Sequence, residues 1–138
     1  MKILRIITRL NIGGPSIQAI ELSASLDTTR LAYGGVNDSS EGDWLYKAKR
    51  KKVNLEFING LGRAVNIKAD FVALKELFWL IVKWQPDIIH THTSKAGVLG
   101  RSAAILAMPF VKTKPKLIHT FHGHVMTGYF SPFKSMLI

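Results

Sequence analysis

The sequence predicts an α/β fold in which a parallel sheet carries helices on both faces. Three observations lead there. Short apolar runs rich in Ile and Leu (KILRIIT, DIIHTH, KLIHTF) alternate with longer stretches whose apolar residues recur at helical spacing. Glycine, proline and small polar clusters stand where one period gives way to the other. The chain has 138 residues, 47% of them apolar, enough for one domain with a real core, since a chain of this size removes roughly two-thirds of its unfolded surface from water. Strand and helix in strict alternation are the mark of a parallel sheet with crossover helices.

The elements follow in order. Residues 2–8 read as a buried strand. N-I-G-G-P comes next, then a helix over 15–26, with Pro15 at its first position and Ile17, Ile20, Leu22 and Leu26 along one side. Segment 27–43 is a weak strand embedded in loop, and Asp43 is placed to cap a short basic helix over 44–51. VNLEFI, 53–58, alternates and reads as a strand. After the loop NGLGRAVN, residues 68–84 form the strongest helix, with Phe71, Val72, Leu74, Phe78, Ile81 and Val82 apolar, and Pro86 stops it. A strand spans 87–92. Ser94 is expected to cap a helix of small residues over 95–107, which Pro109 ends. The last strand is 116–121, and Ser131-Pro132 opens a further helix. That helix has no stop signal, so the expectation is one domain over 1–138, incomplete at its carboxyl end, in a longer protein.

Composition excludes several functions. There are no cysteines, hence no disulfide scaffold, thiolate metal site or cysteine nucleophile. The start, MKILRIITRLNIGG, lacks the apolar length and small-residue cleavage site of a signal peptide. FVALKELFWLIVKW is too short and too charged to span a bilayer. The formal net charge of +10 implies a polyanionic partner such as nucleotide phosphates or an anionic membrane surface. YKAKRKK at 46–52 is the densest basic run, and a solvated helix end accounts for it as well. No zinc-finger spacing, RNP-like aromatic pattern or helix-turn-helix accompanies it, so nucleic acid is not an expected partner.

In doubly wound sheets ligands sit beyond the carboxyl ends of the strands. Three polar loops fall at such ends. Asn11-Ile12-Gly13-Gly14-Pro15 could let a phosphate approach a helix N-terminus; equally, its glycines could supply a turn's positive φ. The spacing is neither G-x-G-x-x-G nor a P-loop. His90 and His92 share one strand face, and His119 lies inside its strand, where packing explains it. His122 and His124 lie at or past that strand's end. Asp87 is the carboxylate nearest these histidines and opens its strand at the far end, so a phosphate or substrate role is favoured over a metal. Ser94-Lys95 offers a hydroxyl and a cation at a helix start, where the dipole slightly disfavours the lysine.

ITRLNIGGP, PDIIHTHTSKAGVLGRSAA and HTFHGHVMTGYFSP resemble, in order and spacing, motifs of the family 4 glycosyltransferases of the GT-B fold. The resemblance runs through nearly the whole chain. It implies a Rossmann-like amino-terminal domain that receives the acceptor. A second domain, absent from this sequence, would hold most of the nucleotide-sugar, usually with a Glu-x7-Glu pair. It implies retention of anomeric configuration, no cofactor and no metal, with the nucleotide-sugar as substrate. Gly13 and Gly14 would close over the donor diphosphate and the acceptor. His122 would be the catalytic histidine near the transferred sugar and its leaving phosphate, with His124 as the alternative two residues on. Asn11, Ser94, Lys95 and His124 would lie on the acceptor side. The expected partners are a nucleotide-sugar, a glycan or lipid-linked acceptor of cell-surface polysaccharide or glycolipid assembly, the second domain, and an anionic membrane surface. The expected location is the cytoplasm, with a peripheral place on the inner face of the membrane as a further option. The rival readings are a non-catalytic module binding anions or a partner, and a nucleotide-sugar epimerase-like domain.

Overall fold

The computed structural model describes residues 1–122. His124 and the helix expected from residue 131 lie outside the described residues. Five strands, β1 (Ile3–Arg9), β2 (Thr29–Gly34), β3 (Asn54–Phe57), β4 (Ile88–His92) and β5 (Lys116–Thr120), alternate with four helices, α1 (Gly14–Ala24), α2 (Leu45–Arg50), α3 (Ile67–Trp84) and α4 (Ser94–Ala107). All pairings are parallel and the order is β3-β2-β1-β4-β5. The chain builds outward from β1 to β3, then crosses back to lay β4 against the other side of β1. This is a Rossmann-like arrangement with β1 at the switch point, where such sheets open a crevice.

Each face has its own core. On one, Ile7 and Leu31 of the sheet meet Ala19 and Ile20 of α1 and Ala48 of α2. On the other, Leu4, Ile6, Ala32 and Ile89 meet Ala73, Leu77 and Ile81 of α3 and the alanines of α4. The small residues of α4 let it lie close to the sheet. A Cβ on Gly100 would come within 2.7 Å of Thr91 Cγ2 and 3.0 Å of Ile6 Cδ1. Each buried Leu or Ile contributes about 1.5–3 kcal/mol through removal from water.

The differences from expectation are local. The buried stripe of α3 is Ala73, Leu77 and Ile81, whereas Phe71 is 67% exposed and Val72 also faces outward. Only one face of a helix can meet the sheet, and residues four apart occupy it. Leu26 is exposed because α1 ends at Ala24. Asp43 does accept the Leu45 N–H, although the helix boundary falls at Trp44. The N-cap of α4 is Thr93, and Ser94 is its first helical residue. The end of α3 is fastened by Gln85, left-handed at φ 53° ahead of Pro86. Its amide donates to Val82 O (2.6 Å) and Phe110 O (3.2 Å) and accepts from Lys112 N (2.8 Å).

Candidate active site

The carboxyl ends of β1, β4 and β5 lie on one edge of the sheet, where the glycine turn, the α4 start and His122 meet. The turn's geometry separates its two readings. Gly13, the N-cap of α1, is extended at φ 178° and ψ 165°, a conformation any residue adopts. Positive φ among the described glycines occurs at Gly42 and Gly60, not here. A Cβ on Gly14 would meet nothing within 4 Å among the described residues, and one on Gly13 would touch Asn11 Nδ2 at 3.6 Å, an ordinary contact. Neither position has the positive φ that would demand glycine. Their missing side chains leave open space in front of the α1 N-terminus, which has neither a side-chain cap nor an acid in its first turn. Such a helix start presents free N–H groups and a partial positive charge. Asn11 and Ser16 hold the turn from below: the Ser16 hydroxyl lies 3.3 Å from Arg9 O and 3.4 Å from Asn11 Oδ1.

A second helix start lies nearby. Thr93 has φ 73° and ψ 151°, a region that costs a β-branched residue about 1–3 kcal/mol. A hydrogen bond between the Thr8 and Thr93 hydroxyls holds it, and its carbonyl accepts from Gly97 N at 2.9 Å. α4 too has no side-chain cap and no acid in its first turn. Pro15, Thr93, Ser94, His119, Thr120, Phe121 and His122 line a cleft of about 170 Å³. The strain at Thr93 has no signature in the sequence, because it follows from how β4 must turn into α4.

The histidines form an ordered row. His90 and His92 lie on one face of β4, their ring centroids 4.2 Å apart, and the His122 ring stacks on His92 at 5.4 Å and 25°. His92 Nδ1 is 3.1 Å from His122 Nε2. His90 lies between Arg5 and Thr120, bonding Arg5 through Nδ1 and Thr120 Oγ1 through Nε2 (2.7 Å). Burial, and next the Arg5 charge, push His90 down to about 4. Burial, then the neighbouring histidines and Arg5, push His92 down to about 3. His122 is also lowered, by burial. The row is therefore neutral near pH 7. His119 points to the other face, bonding Thr91 Oγ1 at 2.8 Å and packing over Gly97. This agrees with the packing role its sequence position suggested.

Lys95 does not join the cleft. Its Nζ pairs with Asp70 Oδ1 at 2.6 Å and reaches the Ala64 carbonyl, tying α4 to α3 and the loop before it. A larger cleft of about 430 Å³ opens beside that loop, lined by Arg9, Asn37, Asp38, Glu41, Arg63 and Ala64. Glu41 takes both Arg9 Nε (2.7 Å) and Arg9 Nη2 (2.9 Å), and also Arg63 Nη1 (2.9 Å). These arginines hold its carboxyl below the usual range. Arg63 remains 75% exposed. Sequence reasoning missed this trio, whose members are up to 54 positions apart (63 − 9). Asn11 lies in the glycine turn, outside the linings of both clefts, and Ser94 lines the smaller one.

The site thus combines a switch-point crevice, two helix starts without side-chain caps and a neutral histidine row in an α/β protein. Residues 36–137 match Glycosyltransferase Family 4, and the chain belongs to that family. It is also 42% identical over 67 residues to the UDP-Gal:alpha-D-GlcNAc-diphosphoundecaprenol alpha-1,3-galactosyltransferase of Escherichia coli. That match spans 49% of this chain and 16% of the galactosyltransferase.

Proposed function

We propose that this chain is the acceptor-side domain of a two-domain, GT-B glycosyltransferase that retains anomeric configuration. The observation that carries it is the open glycine turn: two helix starts and His122 share one crevice, and neither Gly13 nor Gly14 has the positive φ of a glycine turn. In this reading the α1 and α4 N-termini face the donor diphosphate and stabilise charge that builds on the leaving phosphate. His122 approaches the transferred sugar, and His124 stands beyond it in sequence. The larger cleft, with Arg9, Arg63 and Glu41, takes the acceptor, with Asn11 in the glycine turn and Ser94 in the smaller cleft serving the acceptor side. Lys95 serves that side through the loop it fastens. The Escherichia coli relative acts on a diphosphoundecaprenol-linked sugar, and a lipid-linked acceptor is proposed here by analogy. The reaction needs no metal or further cofactor in this reading.

The four glutamates, Glu21, Glu41, Glu56 and Glu76, are nowhere eight positions apart, and in this reading the family's Glu-x7-Glu pair belongs to the second domain. Incubating the chain with UDP- and GDP-sugars should release no nucleoside diphosphate in multiple turnovers. Fusing it in place of the matching part of the galactosyltransferase should restore transfer that His122→Ala abolishes. Sustained turnover by the chain alone would contradict the two-domain reading.

A cytoplasmic location, peripheral on the inner membrane face, fits the surface. Among the described residues no helix is long and apolar enough to cross a membrane. Phe71, Val72 and Trp79 of α3 instead lie beside Lys75 and Lys83 along an open groove.

A further inference from the structure

His90 and His92 belong to neither helix start, and His92 is fully buried. Their hydrogen bonds have a direction that can be derived. A guanidinium only donates, so His90 Nδ1 accepts from Arg5, and the His90 proton sits on Nε2. That proton goes to Thr120 Oγ1, 2.7 Å away. The Thr120 hydroxyl is thereby an acceptor from His90 and keeps its own hydrogen for another partner. His92 is settled by its other nitrogen. His92 Nε2 is buried without a partner among the described residues. A buried N–H left unpaired is rarer than an under-satisfied acceptor. With its proton on Nδ1, His92 donates to His122 Nε2, 3.1 Å away. His122 must then carry its own proton on Nδ1. Both acceptors of these bonds, Thr120 and His122, line the small cleft.

We propose that His90 and His92 are positioning residues that set the hydrogen-bond polarity of the cleft's β5 wall, so that Thr120 O–H and His122 Nδ1–H are both offered as donors to the oxygens of a nucleoside diphosphate. The ligand class rests on the function proposed above; the proton positions do not. Arg5 anchors the arrangement. It is 6% exposed, and its charge, with burial, keeps the row from taking up protons. The charged and titratable groups acting on the row are Arg5 from β1 and His122 beside it, with His119 across the sheet on the other face. A neutral row can hold one fixed tautomer per ring, whereas a protonated ring would donate from both nitrogens and break the order.

Long-range ¹H–¹⁵N correlation spectra of the histidine rings in the 138-residue chain test this directly. His90 should carry its proton on Nε2, and His92 and His122 on Nδ1. A His122 ring protonated on Nε2, or averaging between tautomers, would overturn the proposal. His92→Asn keeps a donor near the Nδ1 position and should preserve the His122 tautomer, whereas His92→Leu fills the space without a donor and should release it. With UDP as the probe, the affinity should fall roughly fivefold in His92→Leu, the worth of one net hydrogen bond, and return to within about twofold of the parent in His92→Asn. Equal losses in both variants would reduce His92 to a packing residue. If the parent chain shows no UDP response, the diphosphate reading fails, and the tautomers still decide the positioning role.

Discussion

His92 on β4 and His122 just past β5 meet through their ring nitrogens at 3.1 Å, joining the ends of two adjacent parallel strands across the cleft. The contact is made between neutral rings, and that gives the fold an acid limit. The folded pKa values of His90 and His92, about 4 and about 3, lie below the ordinary 6.5. Below pH 6.5 the unfolded chain therefore binds more protons than the folded one, and stability rises with pH across this window. The contribution is intact above 6.5, declines as the pH drops through 6 and 5, and is gone below about 3. Thermal unfolding from pH 8 to pH 4 should show a Tm that starts to fall near 6.5. His92→Asn should flatten the decline. A Tm level down to pH 5 would contradict the neutral row.

Gly14 separates fold from function. Beyond its chain neighbours a side chain there meets open space, so Gly14→Val should cost only the crowding of a β-branched residue against Pro15, about 1 kcal/mol, and lower the Tm by a few degrees. The same valine should block the approach of a phosphate to the α1 start. Binding of UDP should be lost while the unfolding transition stays. A variant that unfolds early would mean that the turn, not a ligand, requires the glycine.

The Lys95–Asp70 pair predicts a coupling. Both side chains are largely buried, at 17% and 23% exposure, so removing one strands the other. Lys95→Ala and Asp70→Ala should each cost about 1–3 kcal/mol, with the double variant costing little more than either. Denaturant unfolding of the cycle measures it. Additive losses would mean that the pair is not formed.

On α3 the two faces should respond oppositely. Leu77→Ala empties a core site and should cost about 2–5 kcal/mol. Trp79, 48% exposed, should leave stability unchanged when replaced by Ser but weaken binding to vesicles rich in anionic lipid. The basic α2 contributes less than its composition suggests, because Lys47 and Lys51 are paired with Glu21 at 3.9 and 2.9 Å. Lys49, Arg50 and Lys52 remain exposed. Co-sedimentation at low and high salt checks this: binding should fall as salt screens the contacts. Equal binding to neutral vesicles would remove the membrane proposal.

Elements set by local periodicity were legible in the sequence. Four strands and all four helices fall within a few residues of the positions their apolar spacing, capping and proline signals indicate, β2 lies inside the 27–43 segment that offered only a weak strand, and the carboxyl-edge convergence followed from topology. The fold packs Trp84 beneath Arg30, whose guanidinium lies 4.9 Å from its ring. What escaped were relationships between distant residues. The Arg9–Glu41–Arg63 trio, the diversion of Lys95 to Asp70 and the tautomer-setting contact of His92 all depend on which loops the sheet order brings together. No local pattern encodes them. Gly13 and Gly14 were ambiguous for another reason: glycine serves positive φ and close approach alike, and only the backbone angles distinguish the two.

The most direct measurement is a backbone amide titration of the ¹⁵N-labelled chain with UDP at millimolar concentration. Because the second domain would hold most of the donor, weak binding is expected, near the roughly −4 kcal/mol of a millimolar complex. The perturbed amides should cluster at Gly13, Gly14, Thr93, Ser94 and His122, and Gly14→Val should abolish them. Shifts confined to the Arg9–Arg63 cleft or the α3 groove, or none at all, would contradict a diphosphate site at the two helix starts.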